Sequence, residues 1–494
     1  MIYVSTRNKD NRVSSSEAIV KGMSEDGGLF VPENIPKINN IKSLINMNYK
    51  ELAYEIIKMY FTDLDKKALL KSIDKAYDKK FSKKEIAQLI EVGELYYLEL
   101  FHGPTFAFKD IALSILPYLL KESIKNTDEK KEIVILTATS GDTGKAALES
   151  FANINGVKII VFFPVDGVSN IQKTQMITQK GSNTFVASIN GDFDDAQSGV
   201  KEIMKDIKFI NLLEDKGYKL SSANSINIGR LVPQIVYYFH SYLKLLKENK
   251  IKSDEKINFV VPTGNFGNIL AAYYAKKMGL PINKLICASN ENNILTDFIN
   301  TGTYNKKRKL ILTSSPSMDI LVSSNLERLL FHLSNGNDLK IKNYMKDLDN
   351  QGEYKIENLD LKDFKAYYST EEETSNSIKE EFEKYNYLID PHTAVGHSAY
   401  KKYKLETKDK TKTVIVSTAS PLKFGDKVAN SIGLNTENKN DFDLIEELGT
   451  KTDLNIAINI LKLKDKGIVH KNNCNKEDMR RSILDFLKIG DMDD

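Results

Sequence analysis

A chain of 494 residues, 41% hydrophobic and 28% charged, has the make-up of a soluble globular protein with room for roughly two to four domains. Its 70 basic and 67 acidic residues nearly cancel, to +3, which excludes the basic footprint of a nucleic-acid binder or of a protein held to an anionic membrane. Two distant cysteines without CxxC spacing, six scattered histidines and no run of about 18 apolar residues exclude a disulfide framework, a histidine-built metal site and a membrane span, and point to the cytoplasm.

Residues 1 to about 80 read as a small accessory unit. Ile2 to Ser5 is a short strand, and Ser14 with Glu17 forms a capping box for a helix reaching Met23. Asp26-Gly27-Gly28 turns the chain into an edge segment that ends at Pro32. Leu52, Ile56, Ile57 and Tyr60 line one helical face, and the helical pattern repeats over 81–92.

A mostly apolar run from Leu95 to Phe101 then leads through His102-Gly103-Pro104 to Thr105-Phe106-Ala107-Phe108-Lys109-Asp110. Gly-Pro marks a turn, and Ile111, Leu113, Ile115 and Leu116 open a helix. A lysine among aromatics at such a junction can be partly desolvated. Desolvation disfavours the ammonium, which makes a nucleophilic amine. Taken alone, Lys109 is explained more simply as a packed stem with its head in water.

From here strands and helices alternate. Ile133 to Leu136, Val157 to Phe163, Thr184 to Ile189, Lys256 to Val261, Leu285 to Ser289 and Lys412 to Thr418 read as buried strands. Helices are predicted over 170–179, 192–207, 227–250, 269–278 and 318–333, and one begins at Pro391. Residues 334–372 read as a polar insertion or lid, and the Lys/Asp/Glu/Asn-rich tail beyond Asn435 as packing on the outside. The pattern predicts an α/β fold with open, mostly parallel sheet, whose ligands sit at the carboxyl ends of the strands.

Two of the strand ends carry anion-cradling loops. Thr263-Gly264-Asn265-Phe266-Gly267-Asn268 lies between a strand and a helix, where glycines let backbone approach a phosphate and the helix offers free N–H groups. Ser140-Gly141-Asp142-Thr143-Gly144 has the same setting and suits a carboxylate or phosphate. Each is also an ordinary βα turn when considered alone. A P-loop reading of Gly144-Lys145 fails at Thr139 and Ala146, and no GxGxxG follows the first strand. Arg230, in Ser225-Ile226-Asn227-Ile228-Gly229-Arg230, can grip an anion with two bonds, and Thr418 can bond a ring nitrogen. A phosphate-bearing aldehyde cofactor accounts for the amine and both loops together.

Taken as a set and in order, HGPTFAFKD (102–110), SGDTG (140–144), SINIGR (225–230), TGNFGN (263–268), DPHTAVG (390–396) and TASPLKF (418–424), with STR (5–7) and DGGLFVP (26–32), resemble the threonine synthase family. The resemblance implies a fold-type II pyridoxal 5'-phosphate enzyme, related to the tryptophan synthase beta fold. Its units would be an N-terminal domain at 1–82, catalytic α/β domains at 83–435 with a smaller subdomain at roughly 110–225, and a helical extension at 436–494. It implies that Lys109 forms the cofactor Schiff base. Gly264, Asn265, Phe266, Gly267 and Asn268 would hold the cofactor phosphate, and Thr418 the pyridine nitrogen. Ser140, Asp142, Thr143 and Arg230 would meet the substrate, O-phospho-L-homoserine, which with water gives L-threonine and phosphate. A monomer or homodimer without nucleic-acid or membrane partners is expected. Ser420 stands where a histidine is expected in the family. A phospho-lyase releasing 2-oxobutanoate and a sensor without turnover are the competing readings.

Overall fold

The computed structural model describes residues 1–490 apart from 140, 166, 167, 358, 359 and 453–457. The chain's opening follows from its local signals. Ile2–Ser5 is the middle strand of a three-stranded antiparallel sheet with Asn8–Ser14 and Phe30–Pro32. The Ser14/Glu17 capping box forms and starts the helix Ser15–Lys21. Two amphipathic helices, Tyr49–Tyr60 and Lys66–Ala76, follow.

Two parallel sheets carry the rest. In the larger, the strand order is Phe364–Tyr368, Ile282–Ser289, Ile257–Pro262, Thr413–Ser417, Leu95–Glu99 and Gln88–Val92. Only the last of these pairs antiparallel. The smaller sheet runs Asn472–Cys474, Thr184–Ile189, Val157–Pro164, Glu132–Ala138 and Tyr218–Ser222, all parallel. The unbroken apolar runs seen in the sequence are strands sealed on both faces: Ile133, Val134 and Leu136 are each wholly buried.

Several expectations are corrected. Over 81–92 the chain forms no helix: 81–87 are turns and bends, and Gln88–Val92 is a strand that turns back through Gly93, whose φ is +59°. Within residues 334–372, read as a polar insertion or lid, Met345, Leu348, Asp349 and Tyr354 line the cavity described below. The segment holds a helix, Asp338–Gln351, and the edge strand Phe364–Tyr368, where only Phe364 and Ala366 point inward, so the polar alternate positions mimic a loop. The predicted helix 318–333 is confined to Leu326–Leu333, because Ser323 and Asn325 spend their side chains on Gly264 O and Asn265 O instead. Helix 192–207 is two helices, Phe193–Ile203 and Ile207–Asp215, the second capped by Asp206. The tail, expected to pack on the outside, enters the core: Leu444, Ile445 and Leu448 join one buried cluster, Asn472–Cys474 joins the smaller sheet, and the helix Met479–Leu487 buries Met479 and Ile483 against it. Among the described residues no helix is long and apolar enough to cross a membrane.

Candidate active site

The site forms where the larger sheet's strand ends face the smaller sheet. Leu95–Glu99 delivers the 102–108 loop, and the loop is pinned to the end of Thr413–Ser417. Phe108 N–H donates to Thr418 O at 2.8 Å, and Ser420 N–H donates to Phe106 O at 3.0 Å. Asp110, wholly buried, accepts from the Thr105 amide at 2.8 Å and the Thr105 hydroxyl at 2.5 Å. Burial pushes its carboxyl up to about 6. The loop is thereby fixed from both ends, and Lys109 starts the helix Lys109–Asn126 in a set position.

Lys109 is 9% exposed. Its Nζ lies 3.0 Å from Ser317 Oγ and 3.3 Å from Asp142 Oδ2. Burial lowers its pKa, Asp142 opposes this, and the charges of Lys423 and Arg230 add to the lowering. The desolvation inferred from the flanking aromatics is therefore present. Asp142 opens the helix Asp142–Phe151, where a negative charge meets the positive end of the helix. Burial alone would raise its carboxyl. The ammonium groups of Lys423 and Lys109 override that and hold it well below the usual range.

The glycine loop 263–268 is built to leave donors free. Phe266 takes a left-handed conformation, φ 61°, and no side chain caps the helix Gly267–Lys277 that follows. Asn268 accepts on its side-chain oxygen from Tyr237 and Tyr238, at 2.5 and 2.7 Å. Its Nδ2, also buried, has no partner among the described residues. An orphaned buried donor beside uncapped helix amides is what a bound phosphate would satisfy. Gly264 is needed for close approach: a Cβ there would stand 2.5 Å from the Ser317 carbonyl oxygen.

Arg230 is 3% exposed and lies in the first turn of the long helix Ile228–Lys247. Its Nη1 donates to Ala223 O at 2.9 Å, while its Nε is buried without a partner. No carboxylate pairs with it among the described residues, and burial lowers its pKa to about 10. An unpaired buried guanidinium is costly unless an anion completes it.

One cavity of about 380 Å³ is lined by Lys109, Thr143, Arg230, Gly264 to Asn268 and Thr418. Thr418 stands one residue past the strand Thr413–Ser417, with a hydroxyl bonded to no described residue. Asp142 reaches Lys109 from just behind the wall. Ser140 falls outside the described residues. The sequence reading missed three contributors. Ser317 sits on the short turn Pro316–Met318, just before the stretch predicted as helix. Gln172 donates to Asp142 Oδ1 at 2.8 Å. Lys423, inside the TASPLKF stretch, pairs with the same oxygen. His392 also lines the cavity; its Nδ1 bonds Asp390 at 2.8 Å, which leaves Nε2 to accept from Ser317 N–H at 3.3 Å.

A desolvated lysine, a glycine loop with free donors and an unbonded threonine hydroxyl line one cavity, the features of a Schiff-base enzyme that takes a phosphorylated carbonyl cofactor. Family models agree and divide the chain into "Threonine synthase N terminus" over residues 2–77, "Pyridoxal-phosphate dependent enzyme" over 84–419 and "Threonine synthase, C-terminal" over 393–470. Threonine synthase of Saccharomyces cerevisiae is 38% identical, over 87% of this chain and 89% of its own. The crystal structure of threonine synthase from yeast superposes with a TM-score of 0.87 at 34% identity, covering 99% of each chain. A pyridoxal-phosphate-bound threonine synthase from Brucella melitensis gives 0.86 at 33% identity, covering 98% and 99%. The chain belongs to the threonine synthase family, pyridoxal-phosphate-dependent lyases of fold type II.

Proposed function

We propose that this cavity converts O-phospho-L-homoserine and water to L-threonine and inorganic phosphate, with Lys109 as the acid/base amine. The observation that carries the reading is the pairing of a desolvated Lys109 with a separate, unpaired Arg230 across one cavity that also holds an open phosphate cradle. Two anion sites are needed, one for the cofactor and one for the substrate, and the 263–268 loop and Arg230 offer for them buried donors that have no partner among the described residues.

The amides of Gly267 and Asn268, with Asn268 Nδ2, would hold the cofactor phosphate. The Thr418 hydroxyl would meet the ring nitrogen, and Lys109 would form the covalent link. When bound, pyridoxal phosphate supplies an electron sink for charge that develops at the substrate Cα. Lys109 Nζ takes the Cα proton and later returns one. Arg230 holds the substrate phosphate through departure, and Thr143, near the start of its helix, faces the substrate. In the net change the Cγ–O bond breaks, the bridging oxygen leaves with phosphate, Cγ becomes a methyl group, and water oxygen bonds to Cβ.

That bond accounting gives the test. Turnover in ¹⁸O-labelled water is expected to put ¹⁸O in the threonine hydroxyl and none in the phosphate. Label in the phosphate would mean P–O hydrolysis and overturn the reading. Arg230→Gln keeps a side-chain amide but loses the charged fork. It is expected to lower kcat/KM by about 10- to 100-fold, the worth of a charge-assisted bond, mostly through KM in steady-state assays of phosphate release.

A further inference from the structure

Lys423 lies on the turn Pro421–Phe424, just past the strand Thr413–Ser417 and Thr418, and its side chain is fully buried. Its Nζ is bonded to Asp142 Oδ1 and, at 3.1 Å, to Thr105 O. Asp142 is then divided between two faces. Oδ1 takes Lys423 and Gln172, while Oδ2 takes Lys109 and the Ser317 hydroxyl, both at 3.3 Å. Two ammonium groups therefore share one buried carboxylate, and the contact to Lys423 is the closer. Arg230 adds a further positive charge that acts on Lys109.

The imbalance has a chemical consequence. A buried carboxylate facing a single lysine would stabilise its ammonium and make it a poor base. A carboxylate already claimed by a second lysine holds the first in place without trapping its proton. We propose that Lys423 is a positioning residue for the reaction: by claiming Asp142 through a direct ion pair, it leaves Lys109 free to lose and regain its proton. The proposal rests on Lys109 being the acid/base group. Lys423 is not among the residues that line the cavity, and its bonds go to Asp142 and to the Thr105 carbonyl of the lysine loop, so its effect passes through them.

The test compares Lys423→Met, Lys423→Arg and the double variant Lys423→Met/Asp142→Asn as holoenzymes, by the pH profile of kcat and by the pH titration of the bound cofactor's absorption. With Lys423→Met, Asp142 has only Lys109 to neutralise it. The acid limb of kcat is expected to move up by at least ~1 pH unit, about tenfold in the proton affinity of the base, and the absorption titration to shift with it. Lys423→Arg is expected to restore much of the wild-type limb, because a guanidinium can still pair with the carboxylate. In the double variant the limb is expected to return toward wild type, since no carboxylate remains to hold the ammonium. A merely structural role would lower kcat or the unfolding midpoint with both pH curves unmoved, and that result would overturn the proposal. Should Lys423→Met not fold, Lys423→Gln, which keeps a donor toward Asp142 but removes the charge, takes its place: an unmoved limb in it overturns the proposal. Failure of the Lys109 assignment is separate, and appears as threonine formation by a Lys109 variant.

Discussion

Replacing Lys109 by alanine is expected to lower kcat for threonine formation by at least ~10⁴-fold, the upper range for loss of one acid/base group, with loss of the covalent cofactor link as well. The fold should persist. Asp142 keeps Lys423 and Gln172 as partners, so no carboxylate is left unpaired by the change. The unfolding midpoint is therefore expected to stay close to wild type, which separates a chemical defect from a collapsed site. Borohydride reduction followed by peptide mass analysis checks the link directly: wild type should carry the cofactor on the peptide containing Lys109, and the variant on no lysine. Threonine formation at a near-normal rate would contradict the assignment.

Gly264→Ala is the second large effect. The added Cβ would meet the Ser317 carbonyl oxygen at 2.5 Å and the Met318 Cα at 3.5 Å. Both are backbone atoms of the Pro316–Met318 turn, so no side chain can swing away to relieve the contact. Either the glycine loop or the turn must move by most of an ångström. The first displaces the Asn268 cradle, and the second moves Ser317 away from Lys109. A misplacement of about 1 Å at reacting groups costs about 100-fold. Kcat/KM is expected to fall by about that factor, with faster loss of cofactor on dialysis. Gly467→Ala is the control, because nothing lies within 4 Å of a Cβ there. Unchanged kinetics in Gly264→Ala would mean that the close approach of loop and turn is not required.

The parts of the site that were legible in sequence are those built within a few residues. The lysine loop, the 263–268 loop and the turn at 141–144 each sit where a strand ends, and glycine and proline announce them locally. Thr139 closes the last of these by accepting from the amides of Gly141 and Gly144 at 3.0 and 2.9 Å. What sequence could not show is what long-range packing supplies. Lys423 reaches Asp142 across 281 positions, and Ser317 reaches Lys109 across 208. Neither has a spacing to read.

Arg328 makes the same point in the fold. It is wholly buried and donates to Phe30 O at 2.9 Å, to Ile226 O and to the Asn325 side chain. It thus ties the N-terminal sheet, the approach to Arg230 and the support of the glycine loop to one another, while looking in sequence like any arginine on an amphipathic helix. The edge strand Phe364–Tyr368 was missed for a related reason: an edge buries few residues, and period-two patterning over five positions is weak.

The central claim, one cavity that eliminates phosphate and hydrates the remainder, is tested most directly by giving the cofactor-loaded protein O-phospho-L-homoserine and measuring phosphate and amino-acid product in the same sample. Equal amounts of phosphate and L-threonine are predicted throughout the time course. Phosphate accompanied by 2-oxobutanoate, or no phosphate from the loaded protein, would contradict it.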